Sequence, residues 1–142
     1  NDMLEVIRIT PLLHKVAATD PTILTAYKVL EMATIDGARA LGIDKETGSI
    51  EAGKKADLVI YNPRNSAKSV PVHNPVSTLV YGGSEKCIET VIIDGTIVKE
   101  NGKLTIRDEG AVLERAQRSA DRLSKRAGTE GLKTRRMGPV AF

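Results

Sequence analysis

Gly48-Ser49-Ile50-Glu51-Ala52-Gly53-Lys54-Lys55-Ala56-Asp57-Leu58-Val59-Ile60-Tyr61 is the stretch on which the fold reading turns. Ser49 to Glu51 reads as a short strand and Ala52-Gly53-Lys54 as a turn, because Gly53 supplies positive φ at no steric cost. Asp57 then leads into Leu58-Val59-Ile60-Tyr61, a continuous apolar, β-prone run. Such a run predicts a strand covered on both faces, with the cover supplied by the rest of the chain. None of these groups is a nucleophile, a metal cluster or a phosphate cradle, so the stretch reads as scaffold.

On its N-terminal side the pattern is helical. Asp2 is placed to cap a helix carrying Met3, Val6 and Ile7. Pro11 interrupts it, either with Thr10 capping a second segment or with a kink, and Leu12, Leu13, Val16 and Ala17 continue the apolar face. Asp20-Pro21 predicts a restart, Asp20 as N-cap and Pro21 at the first helical position, running through Ile23, Leu24, Tyr27 and Leu30. Thr34 caps a shorter helix that Gly42 closes.

On its C-terminal side, Asn62 to Pro75 holds three of the six prolines and reads as an extended surface loop. Val76 to Tyr81 is a helical turn or a strand, ended by Gly82-Gly83. Cys87 to Ile93 and Thr96 to Val98 are strands joined by an Asp94-Gly95 hairpin turn. Asn101-Gly102 turns into a last strand, Leu104 to Ile106. Asp108 caps a long helix with Val112, Leu113, Ala116, Ala120 and Leu123 on one face and Arg115, Arg118, Arg122 and Lys125 largely opposite. Residues 128–142 read as a basic flexible tail.

The chain has 142 residues, 41% of them apolar and 27% charged, which fits one soluble globular domain or a piece of a larger one. Of the net +3, residues from Thr105 onward contribute nine Lys or Arg against five Asp or Glu, a local +4. The basic balance therefore belongs to the C-terminal segment. One cysteine, Cys87, excludes an internal disulfide and a Cys-rich zinc cluster, and fits a reducing cytoplasm. No apolar run approaches the ~18–20 residues of a membrane span.

Complete catalytic chemistry is not visible. The two histidines, His14 and His73, form no His-x-His or His-Glu-x-x-His pair, and both read as packing or structural residues. Gly48-x4-Gly53-Lys54-Lys55 lacks the Ser or Thr, and the following helix, of a phosphate loop. Cys87 reads as a buried inert thiol in a strand. The Arg/Lys helix face has no aromatic residues for base stacking and reads as solvated surface. The sequence assigns no catalytic, cofactor-binding or metal-binding residue.

Four ordered blocks nevertheless resemble the C-terminal portion of the amidohydrolase superfamily, nearest its cytosine deaminase, chlorohydrolase and methylthioadenosine/S-adenosylhomocysteine deaminase branch. They are Met32 to Gly42, ending in Ala-Leu-Gly; Gly48 to Ile60; His73-Asn-Pro-Val-Ser-Thr-Leu-Val-Tyr81; and Val91-Ile-Ile-Asp-Gly-Thr-Ile-Val98. The resemblance runs from Asn1 to about Arg126. It implies an α+β fragment: residues 1–42 as the last helices of a (β/α)8 TIM barrel, 43–107 as C-terminal strands of a composite β-sandwich, 108–127 as a C-terminal helix, and then the tail.

Such enzymes hydrolyse C–N or C–halide bonds with one or two divalent metals, zinc or iron. The ligands are a His-x-His pair on the first barrel strand, later histidines and an aspartate on the last strand. Asn1-Asp2 resemble the residues just after that aspartate, so the resemblance places every metal ligand upstream and implies an inactive fragment without cofactor. Uncovered helices and strands then imply a homo-oligomer or exchanged assembly, with a small-molecule substrate only in the full-length enzyme and no nucleic-acid or membrane partner. The competing expectation is a non-catalytic, self-associating β module that binds a partner through its basic helix and tail.

Overall fold

In the computed structural model, residues 2–131 are described, and their contacts divide the chain into two units that part between Thr105 and Ile106. Asn1 and most of the expected basic tail, 132–142, lie outside the described residues. The first unit holds α1 (Met3–Ala18), α2 (Ala26–Ala33), α3 (Ile35–Leu41), β1 (Leu58–Tyr61), α4 (Pro75–Gly82), β2 (Ile88–Ile93), β3 (Thr96–Glu100) and β4 (Lys103–Leu104). The second holds α5 (Glu109–Arg126). The described chain is thus α+β, with an antiparallel four-stranded sheet in the order β1-β2-β3-β4.

Asp2 caps α1 as the sequence predicts, its Oδ1 accepting the Leu4 amide at 2.9 Å. Pro11 does not end the helix: α1 runs unbroken through it, and its ring is fully buried. A proline there has no N–H to give the Ile7 carbonyl, a loss set against the apolar burial of its ring. The buried face of α1 is Leu4, Ile7 and Pro11, whereas Leu12, Leu13 and Val16 are exposed.

Asp20-Pro21 does not restart the helix. Asp20 Oδ1 accepts from both the Thr22 amide, at 2.8 Å, and the Thr22 hydroxyl, at 2.7 Å, closing a local turn instead. The α2 helix begins five residues later under Thr25, whose hydroxyl accepts the Lys28 amide. Thr34 does precede α3, but its hydroxyl donates back to the Leu30 carbonyl at 2.7 Å rather than capping. Gly42 closes α3 with φ +71°. One helical core joins α1, α2 and α4: Ile7, Ala26, Val29 and Val80, with Leu24, Val76 and Tyr81 packed against it.

Ser49 to Glu51 form no strand. Gly48 lies against α3, where a Cβ would fall 2.7 Å from that of Ala38, and its φ is +94°. That packing consumes the segment, and Gly53 makes the expected turn at φ +90°. Leu58–Tyr61 is a strand, yet Val59 is 59% and Ile60 50% exposed, so the expected two-sided cover is not present among the described residues.

Both hairpin turns form as read. Asp94 and Gly95 have φ +49° and +77°, and Asn101 and Gly102 repeat those values, the geometry that matches strand twist in two-residue loops. The last strand is Lys103–Leu104 rather than Leu104 to Ile106. Cys87 belongs to a 3-10 turn, Glu85–Cys87, that precedes β2. The stretch expected as an extended loop, Asn62 to Pro75, carries two 3-10 turns, Pro63–Asn65 and Ala67–Ser69, and residues 70–74 remain an irregular connection. Asp108 Oδ1 accepts the Ala111 amide at 3.2 Å and starts α5 as expected.

Replacing Gly48 by alanine combines a backbone strained for an L-residue with a clash against Ala38. The expected cost is about 1–3 kcal/mol, to be read from the midpoint of urea unfolding, whereas Gly53→Ala meets no atom within 4 Å and loses only the backbone part.

Candidate functional site

The most enclosed polar cluster forms where the helices meet the sheet. Ser69, 2% exposed, is carried there by the 3-10 turn Ala67–Ser69. Its Oγ lies 2.8 Å from the Gly82 carbonyl at the end of α4, 3.1 Å from the Tyr61 hydroxyl on β1, and 3.4 Å from Cys87 Sγ. A hydroxyl has one proton, and a carbonyl can only accept. Ser69 therefore donates to Gly82, and Tyr61 donates to Ser69. Burial is the main cause that pushes the Tyr61 phenol above its ordinary value, which keeps it the protonated donor this network needs. Cys87 is fully buried, as the sequence predicts, with the Pro63 carbonyl 3.9 Å from its sulfur.

This cluster ties chain segments together and holds no catalytic dyad. The Ser69 proton goes to a backbone carbonyl rather than to a histidine or carboxylate, so nothing activates the oxygen. Beside it an open groove of about 450 Å³ runs between the turn and α4, with Lys68, His73, Asn74, Ser77 and Tyr81 on its walls. Asn74 is committed to the helix, its Oδ1 capping the Ser77 amide at 2.9 Å.

A second set of polar ties surrounds the signature stretch. Asp57 Oδ1 accepts the Asp94 amide at 2.7 Å, and Oδ2 accepts the Thr47 hydroxyl at 2.9 Å. One carboxylate thus fastens the β2–β3 turn to the segment before β1. These bonds, the Asp94 amide first, hold the Asp57 carboxyl below its ordinary 3.8. Lys54 is 12% exposed and donates to the Asp44 carbonyl and the Ser49 hydroxyl, each at 2.6 Å. Its ammonium is spent on the chain's own loop, which removes the phosphate-loop reading. On the helical side, Arg8 Nη2 donates to the Gly83 carbonyl at 2.5 Å and links α1 to the end of α4.

His14 lies on α1, and His73 lies in the segment before α4. Among the described residues no three His, Cys, Asp or Glu side chains converge to hold a metal ion. These residues do not fit a catalytic zinc or iron site. Sequence reasoning missed Ser69, Asp57 and Arg8. Asp57 had a usable signal, an acid directly before an apolar run, whereas Ser69 looked like any loop serine.

The sequence profile of the amidohydrolase family matches residues 1–98, and the chain belongs to that family. It is 43% identical, over 86% of its length, to the 5-methylthioadenosine/S-adenosylhomocysteine deaminase of Desulforudis audaxviator. It is 40% identical, over 89%, to the 5'-deoxyadenosine deaminase of Methanosarcina acetivorans. It superposes on the crystal structure of an adenosine deaminase from Xanthomonas campestris with bound zinc, with a TM-score of 0.81 and 36% identity over 87% of this chain. The chain spans 28% of the length of each of these three proteins.

Ser69→Ala leaves the Gly82 carbonyl without its donor and Tyr61 without its acceptor in a buried site. A loss of about 1–3 kcal/mol is expected, measured by chemical denaturation, with Ser69→Cys recovering part of it. The Asp57 tie has a defined pH window. Because the folded pKa lies below the ordinary 3.8, its stabilisation is complete above that value and disappears as pH falls through the folded one. Hydrogen exchange at the Asp94 amide should accelerate on that acid limb in excess of the intrinsic rate, and Asp57→Asn should flatten the effect.

Proposed function

We propose that this chain is the C-terminal part of a metal-dependent amidohydrolase that removes an amino group from a purine nucleoside of the adenosine type. The observation that carries the reading is the 43% identity over 86% of the chain to a 5-methylthioadenosine/S-adenosylhomocysteine deaminase. The adenosine deaminase neighbour, matched at 36% identity, supports the same substrate class.

In this reading α1 to α3 are the last helices of a (β/α)8 barrel, and the four strands are one side of a composite β-sandwich. The chain's own contribution is structural. The Ile7–Val29–Val80 core, the Ser69 cluster and the Asp57 tie set the helices against the sheet as a platform. No described residue takes or gives a proton at a reacting atom, and a metal, zinc or iron, belongs to the rest of such an enzyme. By itself the 142-residue chain is inactive. The exposed apolar residues of α1, among them Leu13 at 64% and Val16 at 79%, support an assembly in which another surface covers them. A cytoplasmic setting belongs to the same proposal; among the described residues no helix is long and apolar enough to cross a membrane.

Ammonia release from adenosine, 5'-deoxyadenosine and methylthioadenosine tests the reading in two samples. The 142-residue chain alone should give none above buffer. A polypeptide extended to the length of the relatives should release ammonia from at least one of the three. Turnover by the short chain would sink the division of labour, and failure of the long one on every adenine nucleoside would sink the substrate class.

A further inference from the structure

Among the described residues, the second unit presents an exposed apolar face whose pattern is self-complementary. In α5, Leu113, Ala116, Ala120 and Leu123 recur at intervals of three, four and three, the spacing of a two-helix seam. None of the helix's residues is buried, and the two leucines are 63% and 62% exposed. Gln117, Ser119 and Ser124 flank the seam without charge, and Val112 and Arg126 flank its two ends. Alanines at the two central positions let backbones approach closely, with leucines closing each end.

Charge along the helix is segregated. Glu109 and Glu114 stand in the N-terminal third of α5 with no base inside the helix before Arg115, while Arg107 and the cap Asp108 offset each other just ahead of it. Arg118, Arg122, Lys125 and Arg126 crowd the C-terminal half against the single acid Asp121. A parallel pair of such helices would set acid on acid and base on base. An antiparallel pair sets the acidic end of each against the basic end of the other and opposes the two helix dipoles.

We propose that α5 docks antiparallel on α5 of a second copy of this chain. The pair centres between Ala116 and Ala120, so that Leu113 of one copy meets Leu123 of the other and Glu109 lies beside Arg126. The surface is an interaction site between copies and does not depend on the deaminase reading. Two leucines and two alanines per copy make a smaller patch than the ~800 Å² per partner of a standard interface, so the association is reversible.

Sedimentation equilibrium of the 142-residue chain over a concentration series should show a monomer–dimer equilibrium. The double variant Leu113→Glu, Leu123→Glu should weaken it by at least about tenfold, because carboxylates would be buried across the seam. Far-UV circular dichroism checks that the helix persists in that variant. The conservative variants Ala116→Cys and Ala120→Cys then report direction. Oxidising a mixture of the two should yield more cross-linked dimer than either alone, because antiparallel pairing sets 116 opposite 120 within disulfide reach. The charge reversal Glu109→Lys should weaken dimerisation, and adding Arg126→Glu should restore it. A chain monomeric throughout, association unchanged in the double variant, or stronger cross-linking of each cysteine variant with itself would each overturn the proposal. The second result would place the contact on another face, and the third would make the pair parallel.

Discussion

A single buried hydroxyl, Ser69 Oγ, is where four parts of the first unit come within hydrogen-bond reach of one another. It sits on the turn after β1, donates to the last turn of α4, accepts from Tyr61 of β1 and touches the sulfur that precedes β2. Ser69 and Cys87 are buried and Tyr61 and Gly82 half-buried, so a polar atom left alone here loses more than it gains by pairing. That asymmetry makes the junction a strict geometric requirement. Helices and sheet must arrive with Ser69 between them, or several polar atoms go unsatisfied together.

Around this junction the two layers are held by different forces. The helical side is an aliphatic core of small residues, Ile7, Ala26, Val29 and Val80, without an aromatic ring at its centre. The sheet side is held by its ladders, by positive-φ turns and by the Asp57 carboxylate that fastens one turn to the segment before β1. Neither face of β1 is well covered, and the exposed half of α1 is apolar.

The residues that carry the family resemblance are, in the described chain, occupied with its own geometry. The motifs that identify the amidohydrolase family, Gly48 to Ile60 above all, are occupied with backbone geometry: a glycine pressed on α3, a lysine tied to its own loop, an acid holding a turn. Their side chains are committed to the chain itself. The constraint these residues impose on the described chain is the approach of one element to another.

What the sequence determined by itself was local. Asp2 and Asp108 as caps, Gly42 as a helix end, and the Asp94-Gly95 and Asn101-Gly102 turns all rest on interactions within a few residues. The four ordered blocks carried the family for the same reason. Tertiary structure decided the remainder. Pro11 stays inside a helix because its ring is buried, and Asp20 closes a turn because a threonine two residues on accepts the role of partner. Ser49 to Glu51 are drawn out of strand geometry by the packing of Gly48 on α3. Ser69 becomes a hub only because β1, α4 and Cys87 converge on it, a meeting of residues 8, 13 and 18 positions away that no local pattern records.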